Sequence, residues 1–130
     1  MELRFFKIHG VKTSKLRRSP LIRFHGDWLG RAGFEEGQLT CARFTKGEAV
    51  FELCGPDTDV MALIRKSREE KGVKLLIVKS FILGKKHSPI IEMSSQWLED
   101  FEFSIGGTML IKLETGVIRA KVITTDIFEL

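Results

Sequence analysis

Two stretches of this chain alternate apolar and polar side chains every second residue, the spacing of a strand buried on one face. Gln38–Thr45 and Glu48–Leu53 flank Lys46-Gly47, which predicts a β-hairpin with a two-residue turn. In that register Thr40 faces Leu53, Ala42 faces Phe51 and Phe44 faces Ala49 on the buried side, with Arg43 and Glu52 outside. A second hairpin follows the same rule. Leu113 faces Ile118, Ile111 faces Ala120 and Met109 faces Val122 inside, with Lys112, Arg119 and Lys121 outside. A one-residue slip would turn every side chain to the other face, so two stretches with the same in/out assignment make both registers firm.

The remaining elements follow from shorter signals. Leu3–His9, with Phe5, Phe6 and Ile8, reads as a strand, and Gly10–Ser19 as a basic loop. Pro20 lacks an N–H and suits the start of an edge strand, here Leu21–Phe24 with Ile22 and Phe24 on one face and Arg23 on the other. Asp27–Ala32 reads as a short helix ended by Gly33, with Trp28 and Leu29 aimed at the core. Gly55-Pro56 breaks the first hairpin's last strand. Asp57, Thr58 or Asp59 then caps a linker helix starting near Val60, whose Val60, Met61, Leu63 and Ile64 make an apolar face on the outside of the body.

These elements occur twice. Sliding the sequence by 69 residues lays Pro20 on Pro89, Ile22 on Ile91, Trp28 on Trp97, Leu29 on Leu98, Phe34 on Phe103, Gly37 on Gly106 and Gly47 on Gly116. Val73–Val78 then matches the first strand, Lys79–Ser88 the loop, and Ser94 or Ser95 caps the helix of Trp97 and Leu98. A constant offset at tryptophans and turn glycines is the mark of a duplicated unit. The expected division is 1–56 as a first repeat, 57–71 as the linker helix and 72–130 as a second repeat. One repeat has too little core to close alone. Two copies are therefore expected to interlock through their strands, as a symmetric dimer does, within one chain.

Charge separates the copies. The chain has 21 Lys/Arg against 17 Asp/Glu, a net +4. Residues 1–56 hold ten basic against six acidic residues, while the linker is balanced at four each and the second repeat at seven each. Arg4, Lys7, Lys12, Lys15, Arg17, Arg18 and Arg23 succeed one another from Leu3 to Gly26 with no acid between them. The apolar runs are too short for a membrane-spanning helix. Glu2 and Arg4 near the start argue against a secretory leader, so a cytoplasmic location is expected. Cys41 and Cys54 are not directly opposed in the hairpin register, which predicts free thiols, and the cysteines and histidines have no metal-site spacing. No phosphate-cradling motif and no other cofactor motif is present.

The pattern P-x-I-R-x-x-G-x-W-L-x-x-A-G-F-x-x-G-Q at Pro20–Gln38 resembles the SymE family of bacterial type I toxin–antitoxin toxins. The resemblance runs from the Leu3 strand through the Leu53 strand. The second copy keeps Pro89, Ile91, Trp97, Leu98, Phe103 and Gly106 but has Glu92, Ser95 and Glu102 in place of Arg23, Gly26 and Gly33. SymE proteins look like members of the AbrB/MazE superfamily. The resemblance therefore implies a mainly β fold: a swapped-hairpin β-barrel formed by the two tandem repeats as an intrachain pseudo-dimer. It also implies nucleic-acid binding, a toxic effect on RNA and endoribonuclease activity.

In AbrB-type folds the loop between the first two strands contacts DNA, and here that loop holds Lys12, Lys15, Arg17 and Arg18. Cations on long stems suit phosphates, and arginine adds a planar fork, so these residues with Arg23, and Lys85 and Lys86 in the second copy, are the candidate nucleic-acid contacts. RNA cleavage needs a base for the 2′-hydroxyl, an acid for the leaving oxygen and a cation for developing charge. His25 beside Arg23 is the first candidate, His9 the next, and Arg43 a candidate charge stabiliser, although no spacing links them into a recognised set. Trp28 and Trp97 are expected to pack in the core rather than stack on bases.

The expected partner is RNA or DNA and no membrane, with the chain a monomer acting as a pseudo-dimer and further pairing through outer strands left open. The alternatives are an AbrB-like DNA-binding protein without catalysis, or an antitoxin-like protein-interaction module.

Overall fold

The computed structural model of the chain describes residues 2–13 and 17–123. Both hairpins form in the register that the alternation predicts. Strand β4 (Leu39–Thr45) pairs with β5 (Glu48–Leu53), placing Thr40 opposite Leu53, Ala42 opposite Phe51 and Phe44 opposite Ala49. Strand β9 (Thr108–Glu114) pairs with β10 (Val117–Ile123), with Leu113 opposite Ile118 and Ile111 opposite Ala120.

The first strand, β1 (Glu2–Lys7), does not pair with its own hairpin. It lies antiparallel to β9, with Phe6 opposite Met109, while β6 (Val73–Ile77) lies antiparallel to β4, with Leu76 opposite Thr40. The two hairpins join through β5 and β10, giving the order β1-β9-β10-β5-β4-β6. A second sheet holds β2 (His9–Lys12), β3 (Arg18–His25), β8 (Lys86–Ser94) and β7 (Lys79–Leu83) in the order β2-β3-β8-β7. Each order reads the same from either edge once corresponding strands of the two halves are exchanged.

Helix α1 (Asp27–Arg31) and a 3₁₀ helix, Gln96–Phe101, sit at corresponding places. Each ends against the other half. The Gly116 N–H donates to the Ala32 carbonyl at 2.7 Å, and the Gly47 N–H to the Phe101 carbonyl at 2.8 Å. Ser95 caps the 3₁₀ helix as expected, its hydroxyl accepting from the Trp97 N–H. The core lies between the two sheets. Ile22, Phe24, Leu29, Phe34 and Phe51 from one half meet Ile91, Leu98, Phe103, Ile111 and Ile118 from the other, all essentially without exposure. Trp28 is buried and Trp97 half-buried, the latter edge-on to Phe44 at 5.2 Å, so both tryptophans pack inward.

Four expectations need correction. The body is not a closed barrel. The chain passes between sheets at Ile8 and Val78, and there its backbone bonds to loops rather than to a strand. Ile8 bonds Gly106 and Gly107, and Val78 bonds Gly37 and Gln38, so neither ladder continues from one sheet into the other.

The segment Gly10–Ser19 is not simply a loop, because β2 pairs with β3 from His9 and Leu21 as far as Lys12 and Arg18. The same holds for Lys79–Ser88, where β7 and β8 pair as far as Leu83 and Lys86. Pro20 lies within β3 rather than at its start. It sits just beyond the last β8 pair, Leu21–Ser94, where the Ser94 hydroxyl donates to the Pro20 carbonyl at 2.9 Å. The offset is also one residue longer before that turn, since Ile8 corresponds to Val78.

Helix α2 (Val60–Glu69) begins where expected, with the Asp59 carboxylate accepting from the Ala62 N–H at 3.0 Å. Leu63 and Ile64 are half-buried, whereas Val60 and Met61 stay exposed. None of the helices among the described residues is long and apolar enough to cross a membrane.

Candidate nucleic-acid interface

The four-stranded sheet turns one face to the core and one to solvent. Ile22 and Phe24 take the inner face of β3, so Arg23 and His25 must point outward. His9 of β2 is paired with Leu21 and shares that outer face. His25, Arg23 and His9 are thus brought to one surface. Arg43 is not. It lies on the outer face of the six-stranded sheet, on the far side of the core, in a loose pair with Glu52 at 3.9 Å.

Arg23 is engaged already, its Nε donating to Glu92 at 2.9 Å across the central β3–β8 pair. The two residues are separated by 69 positions, the repeat offset itself. A residue facing its own counterpart would bring two arginines together. The glutamate of the second copy converts that repulsion into an ion pair. His25 stacks on Phe81 of β7 at 5.0 Å, which covers one side of the imidazole.

Cations at the sheet's two ends differ in their partners. At the β2–β3 tip Lys12, Arg17 and Arg18 are exposed, and among the described residues none of them forms an ion pair. Lys15 lies outside the described residues. The arm is braced across its two strands, where the Arg18 guanidinium donates to the Gly10 carbonyl at 3.1 Å. Gln96, from the second half, donates to the Arg18 carbonyl at 2.9 Å and to the Ser19 hydroxyl at 2.8 Å.

At the β7–β8 tip Lys85 is exposed, but Lys86 pairs with Asp27 at 3.0 Å, and Ser88 donates to the same carboxylate. The hydrogen bond from Lys86, aided by its charge, holds the Asp27 carboxyl below its usual range. His87 Nδ1 and the Ser80 hydroxyl lie 3.1 Å apart on the same hairpin.

Sequence reasoning missed Gln96 and Glu92, the first as a brace and the second as a neutraliser. Glu92 stood out in the sequence as a departure from Arg23 at the 69-residue offset, and its pairing role follows from β3 lying beside β8. Gln96 left no signal, since its role depends on how the second half docks.

Both cysteines are free, as expected, with Cys41 buried and Cys54 half-buried. Burial pushes both thiols up from their ordinary range. Among the described residues no group of three or more His, Cys, Asp or Glu side chains is arranged to hold a metal ion. Comparison with protein-family models, with curated proteins and with solved structures found no match to the chain.

Proposed function

We propose that this chain is a SymE-like protein of the swapped-hairpin class, built as a pseudo-dimer from two tandem repeats, and that it binds nucleic acid through the cationic β2–β3 arm. The observation that carries the binding reading is the cluster of cations at one end of the small sheet. Lys12, Arg17 and Arg18 stand there without carboxylate partners among the described residues, whereas Arg23 at the sheet's centre and Lys86 at its other end are neutralised by Glu92 and Asp27. Free cations release counterions when they meet phosphates, while cations already paired must first give up a partner. The pseudo-dimer reading is supported by the strand orders, which are unchanged when the halves are exchanged.

RNA is the ligand favoured by the resemblance. One observation favours duplex instead. The two hairpin tips point away from each other, and Arg18 and Lys86 lie on the order of 35 Å apart along the strands at about 3.3 Å per residue, close to one turn of B-form duplex. Cleavage has weaker support than binding, because Arg23 is paired and Arg43 belongs to the other sheet. An antitoxin-like interaction module has no support from these cations.

Anisotropy titrations with labelled single-stranded RNA and duplex DNA over a range of salt test the proposal. Changing Lys12, Arg17 and Arg18 to Glu is expected to weaken binding at least tenfold and to flatten the salt dependence by about two to three in slope. Binding that is insensitive to both salt and these substitutions would end the reading. Incubation of labelled RNA with wild type and His25→Ala separates a nuclease from a binder.

A further inference from the structure

The outer face of the six-stranded sheet is furnished unequally. On the β4–β6 side it carries Cys41, paired with Leu75, and Val73, paired with Arg43. Cys41 is only 3% exposed and Val73 only 7%, although this face looks away from the core. Helix α2 is what covers them. It packs on β6, and the charge of its Lys66 reaches the Cys41 thiol.

The corresponding positions on the β1–β9 side are Leu110 for Cys41, Leu3 for Val73 and Phe5 for Leu75. There Leu3 is 56% and Phe5 68% exposed, with Leu110 half-exposed and paired directly with Phe5. Exposed apolar side chains on an edge strand cost solvation and invite association unless something covers them.

We propose that this β1–β9 face is a docking site for an amphipathic helix of a partner protein, apolar along one stripe and acidic beside it. The helical form is argued from the occupied side, where the equivalent seat takes the ten-residue α2 through Leu63 and Ile64. The acidic flank is argued from the rim. Lys112 pairs with Arg119 across β9–β10, Lys121 stands beside Leu110, and Lys7 ends β1. A groove of about 390 Å³ adjoins this face over β9, β10 and β5, lined by Val50 and Leu110 and edged by Lys112, Arg119 and Lys121, with Glu48 opposite Lys121. Among the described residues none of Lys7, Lys112, Arg119 and Lys121 is ion-paired. A second copy offering its own α2 is disfavoured, because that helix brings Arg65, Lys66 and Arg68 to a cationic rim. The site lies across the core from the β2–β3 arm and is independent of nucleic-acid binding.

The probe is a fluorescein-labelled 14-residue peptide of Ala, Leu and Glu, with leucines at helical spacing and glutamates flanking them, titrated against the full chain. A control peptide has Lys in place of Glu. Saturable binding of the acidic peptide is expected, at least tenfold tighter than the control. It should weaken at least tenfold in Phe5→Ser and in Lys112→Glu, while RNA or DNA binding and the thermal midpoint stay as in wild type. Both side chains are solvent-exposed, so neither change removes core. Equal binding of the two peptides, or no loss in either variant, overturns the proposal. So does self-association of the chain in sedimentation that Phe5→Ser abolishes, which would make a second copy the occupant.

Discussion

Glu102 has the only left-handed backbone among the non-glycine described residues, with φ at 71°. It stands where the first half has Gly33, whose φ of 96° ends α1. A side chain in this region costs about 1 kcal/mol, and the exposed Lys46–Glu102 pair at 3.6 Å returns little of it. Glu102→Gly is therefore expected to stabilise the protein by about 0.5–1 kcal/mol in urea denaturation. Asp27 gives a second test. Its lowered folded pKa means that the folded state releases this proton more readily than the unfolded chain. The Lys86–Asp27 contact thus favours folding above the ordinary carboxylate value of 3.8 and loses that effect as pH falls through the lowered value. Lys86→Ala should move the Asp27 side-chain titration upward in carbon-detected NMR. The duplication offset made Glu102 and Glu92 legible as departures, because each replaces a residue whose job is known from the other copy. His25 as first candidate and Arg43 as charge stabiliser could be set side by side in the sequence, since one sequence does not say which sheet a strand joins.

The hairpins β4–β5 and β9–β10 were the most legible elements, because one face of each is buried and only one register fits. The strands β2 and β7 were not. HGVK and KSFIL form sheet edges with much of their surface in solvent, so burial imposes little alternation on them, and glycine and lysine read as a loop. The basic arm was consequently seen as a charged segment but not as a hairpin braced by Gln96. Helix α2 was legible from its cap. Asp59→Ala leaves the first-turn N–H groups without that partner and should cost about 1 kcal/mol, seen as faster amide exchange in residues 60–64 with β4 and β5 unchanged.

On the scale of the whole molecule, neither half keeps its own first strand. β1 completes the β9–β10 hairpin, β6 completes β4–β5, and the helix ends bond the opposite turns. Residues 1–56 made alone would lose β6, β8, β9 and β10 as neighbours, and the core they close would open along β1, β3 and β5. That fragment is expected to show no cooperative thermal transition by near-ultraviolet circular dichroism, and mixing it with residues 57–130 should restore the tryptophan signal. A fragment that melts cooperatively alone would mean that one half suffices as a folding unit. The mutual dependence of the halves was legible in outline from the small size of one repeat. The open edges were not, because they depend on backbone bonds at Ile8 and Val78 that leave no compositional trace.

The pairing of β1 with β9 has a temporal side. Strand β1 leaves a ribosome about a hundred residues before its partner, residues 108–114, and at 5–20 residues per second the delay is on the order of 5–20 s. Throughout that interval Leu3, Phe5 and Phe6 travel with no strand to lie against, so translation speed and chaperone supply should govern the yield of this protein more than its final stability does.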